Sequence, residues 1–227
     1  MKKIKSIFKF FYNGADSDAT PLTKEQYEAD LVNIDPEKAK NAFDRACAVR
    51  DFEIEMYWKR ANYFWAFIAS TFAGYFLLIS SEKYIKADQI FNHVEVYFLI
   101  CIGFVLSIAW IFTNIGSKSW QRHWEVHVDL LEDQFTGPLY KTVRFTRTYS
   151  VSKINEIVSG VFAVIWFLLG IKYLIEEKLL HYGGKPNWLV LLSSLTVLLA
   201  VMAMVLGYGR GRFRERDSQM YRRKITY

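Results

Sequence analysis

Four apolar stretches, residues 61–79, 96–115, 157–175 and 188–206, each 19 or 20 residues long, constrain this chain more than any other feature. At about 1.5 Å of rise per helical residue, such a stretch spans roughly the 30 Å hydrocarbon core of a bilayer. Lys172, close to an end, is the one Asp, Glu, Lys or Arg inside them. The pattern predicts an all-α polytopic membrane protein. It would have four transmembrane helices and a cytoplasmic helical layer formed by helix extensions and the central loop.

Charge sets the expected orientation. Residues 1–60 carry eleven Lys and Arg, 116–156 carry six and 207–227 carry seven, against two in each of the loops 80–95 and 176–187. The positive-inside rule then places both termini and the central loop in the cytoplasm. Tyr57, Trp58, Tyr63, Trp65, Tyr97, Trp120, Tyr173 and Trp188 cluster at the span ends. Amphipathic rings favour the headgroup level, so these read as interfacial anchors.

The chain divides into a cytoplasmic N-terminal region (1–60), a hairpin of spans (61–115), a central cytoplasmic segment (116–156), a second hairpin (157–206) and a basic tail (207–227). Residues 1–12 are basic, but Lys5 and Lys9 interrupt the apolar run and no small-residue cleavage site follows, which argues against a signal peptide. An amphipathic helix on the inner leaflet, or one packed elsewhere on the protein, is expected there. Cys47 and Cys101 fall in different compartments and read as reduced thiols.

Pro21 and Thr23 predict a short helix through Leu31. Asp35, Pro36 and Glu37 form a helix start, and neither Pro nor Gly follows until Gly74. One helix should therefore run from the soluble region into the first span, with its stripe set by Ala39, Ala42, Phe43, Ala46, Val49, Phe52, Glu53 and Met56. The second span should likewise overrun the membrane and stop near Thr136, Gly137 and Pro138. Residues 141–151 suit an extended segment, with Ser152 as cap of the next helix.

Ala66, Ser70 and Gly74, together with Ala203 and Gly207, offer small faces that let membrane helices approach closely. They suit either a subunit interface or packing within one bundle. Ionisable side chains are essentially missing from the spans, and so are mid-span prolines, which counts against an ion-coupled carrier. The densest candidate site lies in residues 120–140. Trp120, His123, Trp124, His127, Asp129 and Glu132 form an interaction cluster expected to bond to the basic stalk at Arg45, Arg50, Lys59 and Arg60. His123 and His127 stand one turn apart and are the candidate metal ligands. Their spacing with Glu125 is not that of zinc peptidases, and hydrogen bonding is the preferred role. Lys2, Lys5, Lys9, Arg210, Arg212, Arg214 and Arg216 suit contact with anionic lipid. Nucleic acid is not an expected partner. No nucleophile–base set or cofactor box points to an enzyme, and no cofactor is expected.

Residues 57–76 (YWKRANYFWAFIASTFAGYF), 124–142 (WEVHVDLLEDQFTGPLYKT) and 149–160 (YSVSKINEIVSG) together resemble the RipA family of bacterial cytoplasmic-membrane proteins, described as octameric. That family is named for a requirement in intracellular proliferation of a pathogen. The resemblance implies a homo-oligomer, an octamer, in the bacterial inner (cytoplasmic) membrane, and supplies no catalytic residues. A ring-shaped structural or pore-like assembly with a cytoplasmic sensing layer is the leading expectation. The rivals are a non-conducting scaffold or regulator and a stress or immunity effector that permeabilises the membrane.

Overall fold

The structure, a computed structural model, describes residues 20–81, 90–142, 149–176, 180–182, 185–206 and 220–222. Helices dominate, as the apolar pattern requires: α1 (Lys24–Leu31), α2 (Pro36–Ile79), α3 (Ile90–Leu131), α4 (Val151–Glu176) and α5 (Trp188–Val205). Two antiparallel pairs of very short strands accompany them. β1 (Thr20–Leu22) pairs with β4 (Met220–Arg222), and β2 (His181–Tyr182) with β3 (Lys185–Pro186).

Local chemistry explains the helix ends. Thr23 and Gln26 cap α1 reciprocally, each side chain bonding to the other's backbone N–H. The Asp35 carboxylate accepts from the N–H groups of Glu37 and Lys38 at 3.1 and 3.2 Å, so α2 starts at Pro36 as expected. α3 ends in a 3-10 turn over Glu132–Gln134, and Gly137 then takes a left-handed φ of 65°. Ser150, not Ser152, starts α4: its hydroxyl accepts from the Lys153 N–H and its carbonyl from that of Ile154. The cap needs a residue three before its donor, and only Ser150 stands there. Residues 143–148, expected to be extended, lie outside the described residues.

The chain forms two compact units. The polar unit takes its described residues from 1–58, 116–149 and 210–227, and its core joins Tyr27, Phe43, Ala46, Val128 and Leu131. Phe43 stacks on Phe135 with ring centroids 5.4 Å apart. Phe52, expected on the buried stripe of α2, is instead 53 % exposed. From Ala46 the three-to-four spacing leads to Val49 or Arg50 and then Glu53, about 100° away from Phe52.

The membrane unit takes 59–115 and 150–209. Its core holds Tyr75, Val96, Tyr97, Ile100, Trp166, Tyr173 and Val190. α3 and α4 run antiparallel, with Gly170 beside Ile100, Gly103 under the Trp166 indole and Asn155 on Asn114. α2 also runs antiparallel to α3. Trp65 meets Trp110 edge-on at 5.0 Å, and Gly74 faces Leu99. The Tyr97 hydroxyl and Ser194 Oγ, 2.7 Å apart, link α3 to α5. Only 6 % of the apolar window of α5 is buried, against 33 % for that of α3, so most of the oily surface has no cover within one chain.

Candidate functional site

The C-terminal part of α3 places Trp120, His123, Trp124 and His127 along one side, at spacings of three and four residues. Their rings form a ladder. His123 meets Trp120 at 5.7 Å, Trp124 at 5.4 Å and His127 at 4.8 Å, all edge-on, and Trp124 meets His127 at 5.3 Å. Tyr27 of α1 completes it, with its hydroxyl 2.7 Å from His127 Nδ1.

Burial decides the protonation of this cluster. It pushes Tyr27 up to about 12 and lowers His127 to about 4, the nearby His123 adding to the latter effect. Burial lowers His123 as well. Near neutral pH the Tyr27 O–H therefore donates to an unprotonated Nδ1, and the imidazole proton sits on Nε2. Tyr27, one hundred residues away in sequence, is the partner that pattern reading missed. The candidate metal pair has His127 Nδ1 engaged in this bond, and the described residues hold no group of three His, Cys, Asp or Glu suited to a metal.

Glu132 lies close enough to α2 for its charge to act on Cys47, and its hydrogen bonds go to the loop after α3. It is fully buried, and its two carboxylate oxygens accept from the backbone N–H groups of Tyr140 and Lys141 at 2.6 and 3.0 Å. These charge-assisted bonds fold the loop after Gly137 back onto the end of α3. Lys141 Nζ reaches Asp133 at 2.6 Å, and Thr142 Oγ1 donates to the Pro138 carbonyl. From α2, Arg50 bonds Asp51 and lays its guanidinium 4.5 Å over the Tyr140 ring. Asp129 is half-buried, and burial with the neighbouring Glu132 charge raises its carboxyl. Trp120 is 45 % exposed at the outer edge of the cluster.

Among the small residues, Ala66 and Ser70 lie exposed on α2, Gly74 is half-buried against Leu99, and Ala203 is half-buried. Gly207 and the basic residues Lys2, Lys5, Lys9, Arg210, Arg212, Arg214 and Arg216 lie outside the described residues. The tightest approach carries no mark in the sequence: a Cβ on Gly103 would stand 2.4 Å from the Trp166 indole. A buried amide pair also escapes pattern reading, with Asn155 Nδ2 donating to Asn114 Oδ1 at 3.3 Å. Its signal is one asparagine inside an apolar run and another two residues before the next run.

Four long apolar helices, uncovered over most of their surface, joined to a polar helical unit, define a polytopic membrane protein. Residues 40–175 match the model of the octameric membrane protein family, and the chain belongs to that family. The protein is thus a homo-oligomeric membrane protein. No curated protein and no solved structure matches it.

Proposed function

We propose that the protein closes into a non-enzymatic ring of eight copies in the bacterial inner membrane, structural or pore-like, with both termini and the polar unit in the cytoplasm. Family membership carries the stoichiometry. The uncovered apolar surface, 6 % buried along the α5 window, suits a membrane and leaves faces on which neighbouring copies can pack. Rings close by cyclic symmetry, so each copy must offer two unlike faces to its neighbours. The exposed Ala66 and Ser70 on α2 form one fitting face, where a neighbouring helix can come close without losing side-chain volume. The excess of Lys and Arg flanking the same ends of the spans supports the orientation.

In this reading the polar unit receives a signal or partner, and the axial space of the ring is lined by helices that conduct water-filled or seal with lipid. Native mass spectrometry in detergent tests the ring: eight-copy particles are expected, and a monomer at all concentrations removes it. Conductance of purified protein across planar bilayers separates a pore from a silent scaffold, while toxicity on overexpression favours a permeabilising effector. Ala66→Leu should lower the fraction of assembled particles. Unchanged assembly would move the subunit contact to another face.

A further inference from the structure

We propose that α1 is a detachable segment, latched to α3 through Tyr27 and His127 and released by acid. α1 has eight residues and buries one side chain, Tyr27, which is 2 % exposed. Leu22 and Leu31 add half-buried contacts to the same cluster. A helix this short has no stability alone in water, so its order depends on docking.

The latch is chemically one-way. Neutral His127 offers Nδ1 as the acceptor for the Tyr27 O–H, 2.7 Å away. A proton on Nδ1 removes that acceptor. The Tyr27 oxygen must then accept, and its own proton is left to find another partner in a buried place. The new cation also sits 4.8 Å from the His123 ring, ring centre to ring centre.

Among the described residues, the charge that acts on His127 is of the same sign and does not compensate. From α1 it meets Tyr27, and from α3 it meets His123 and the uncharged Trp124. From α2 the cluster receives Cys47, whose thiol burial pushes up and so keeps neutral. Glu132 is committed to the loop N–H groups, and among the described residues the charge that acts on His127 is that of His123.

The direction follows from linkage. Docked, His127 titrates near 4; undocked and wetted, it returns toward the ordinary value of about 6.5. Docking is therefore at full strength above about pH 6.5 and weakens as the pH falls toward about 4. With the ring still partly covered by Trp124 after release, the docking constant should drop about tenfold between pH 7.5 and pH 5.0. The latch deepens the sensing role proposed for the polar unit and rests on that reading only for its consequence.

Hydrogen exchange of residues 24–31 tests it, on the full chain in detergent at the two pH values, each corrected for intrinsic exchange. Protection of α1 should fall about tenfold in acid while α3 over 100–110 is unchanged. His127→Gln accepts through Oε1 without titrating, so its α1 protection should be equal at both values. Tyr27→Phe should bring α1 exchange at pH 7.5 to the acid level of the natural chain. Equal protection of the natural chain at both values overturns the latch. So does an acid loss that persists in His127→Gln, a loss spread evenly over the polar unit, or full protection in Tyr27→Phe. Native mass spectrometry of the same samples reports assembly separately: a missing ring with an intact pH response counts against the proposed function alone.

Discussion

The two units differ in what they turn outward. The polar unit hides Tyr27, Phe43, Val128 and Leu131 and, Glu132 apart, leaves its described charged side chains at least partly exposed. The membrane unit also hides aromatics, but along α3 and α4 it buries Ser107, Asn114, Asn155 and Ser159 and turns Ile157, Val161, Val164 and Leu168 outward. α5 does the same with Leu192, Leu195, Leu198 and Leu199. Lipid tails are as apolar as leucine, so burying leucine gains little there. Close approach and interhelical hydrogen bonds decide the inward face instead. The same helical periodicity therefore carries an apolar outward face in the membrane unit and a charged one in the polar unit.

The largest expected effect breaks the membrane side of that contrast. Gly103→Ala places a Cβ 2.4 Å from the rigid Trp166 indole, so α3 and α4 must separate. A loss of about 3 kcal/mol is expected, seen as a lower midpoint of thermal unfolding in detergent by size-exclusion chromatography. A wild-type midpoint would mean the helices are not in contact there.

Glu132→Ala probes the polar side. It strips the acceptors from the backbone N–H groups of Tyr140 and Lys141, at a cost of about 2 kcal/mol. Hydrogen exchange at 139–142 should rise while α4 is untouched, and an unaltered loop would show that the carboxylate is dispensable.

A smaller effect tests the polar lining between α3 and α4. Asn155→Leu orphans the Asn114 carbonyl oxygen and should cost about 1 kcal/mol in the same thermal assay. Asn114→Leu with Asn155→Leu should recover part of that loss. If the double variant is worse than the single, the amides serve more than each other.

The smallest effect is a control. Gly160 has nothing within 4 Å of an added Cβ, so Gly160→Ala should stabilise α4 by up to about 1 kcal/mol through helix propensity alone. A strong loss would place a neighbour over that position in the assembly.

Much of the fold is legible in short local stretches of the chain. The start of α2 is written in Asp35, Pro36 and Glu37, and its length in the stretch free of Pro and Gly up to Gly74. The end of α3 is written in Thr136, Gly137 and Pro138. These are local signals, because caps and breakers act on backbone groups within a turn of themselves. The site is legible in part. Trp120, His123, Trp124 and His127 fall on one face by spacing, whereas Tyr27 carries no mark of its partner one hundred residues on.

Sequence by itself thus determined the number, length and apolar character of the membrane helices, and their two long extensions. All of these depend on rise per residue and on transfer of side chains between solvents. Only the tertiary structure decided that Glu132 clips a loop, that Gly103 cradles Trp166, and that His127 meets Tyr27. Each needs two distant segments to arrive within a few ångströms, and the position of a neighbouring helix is not encoded in the residues of one turn.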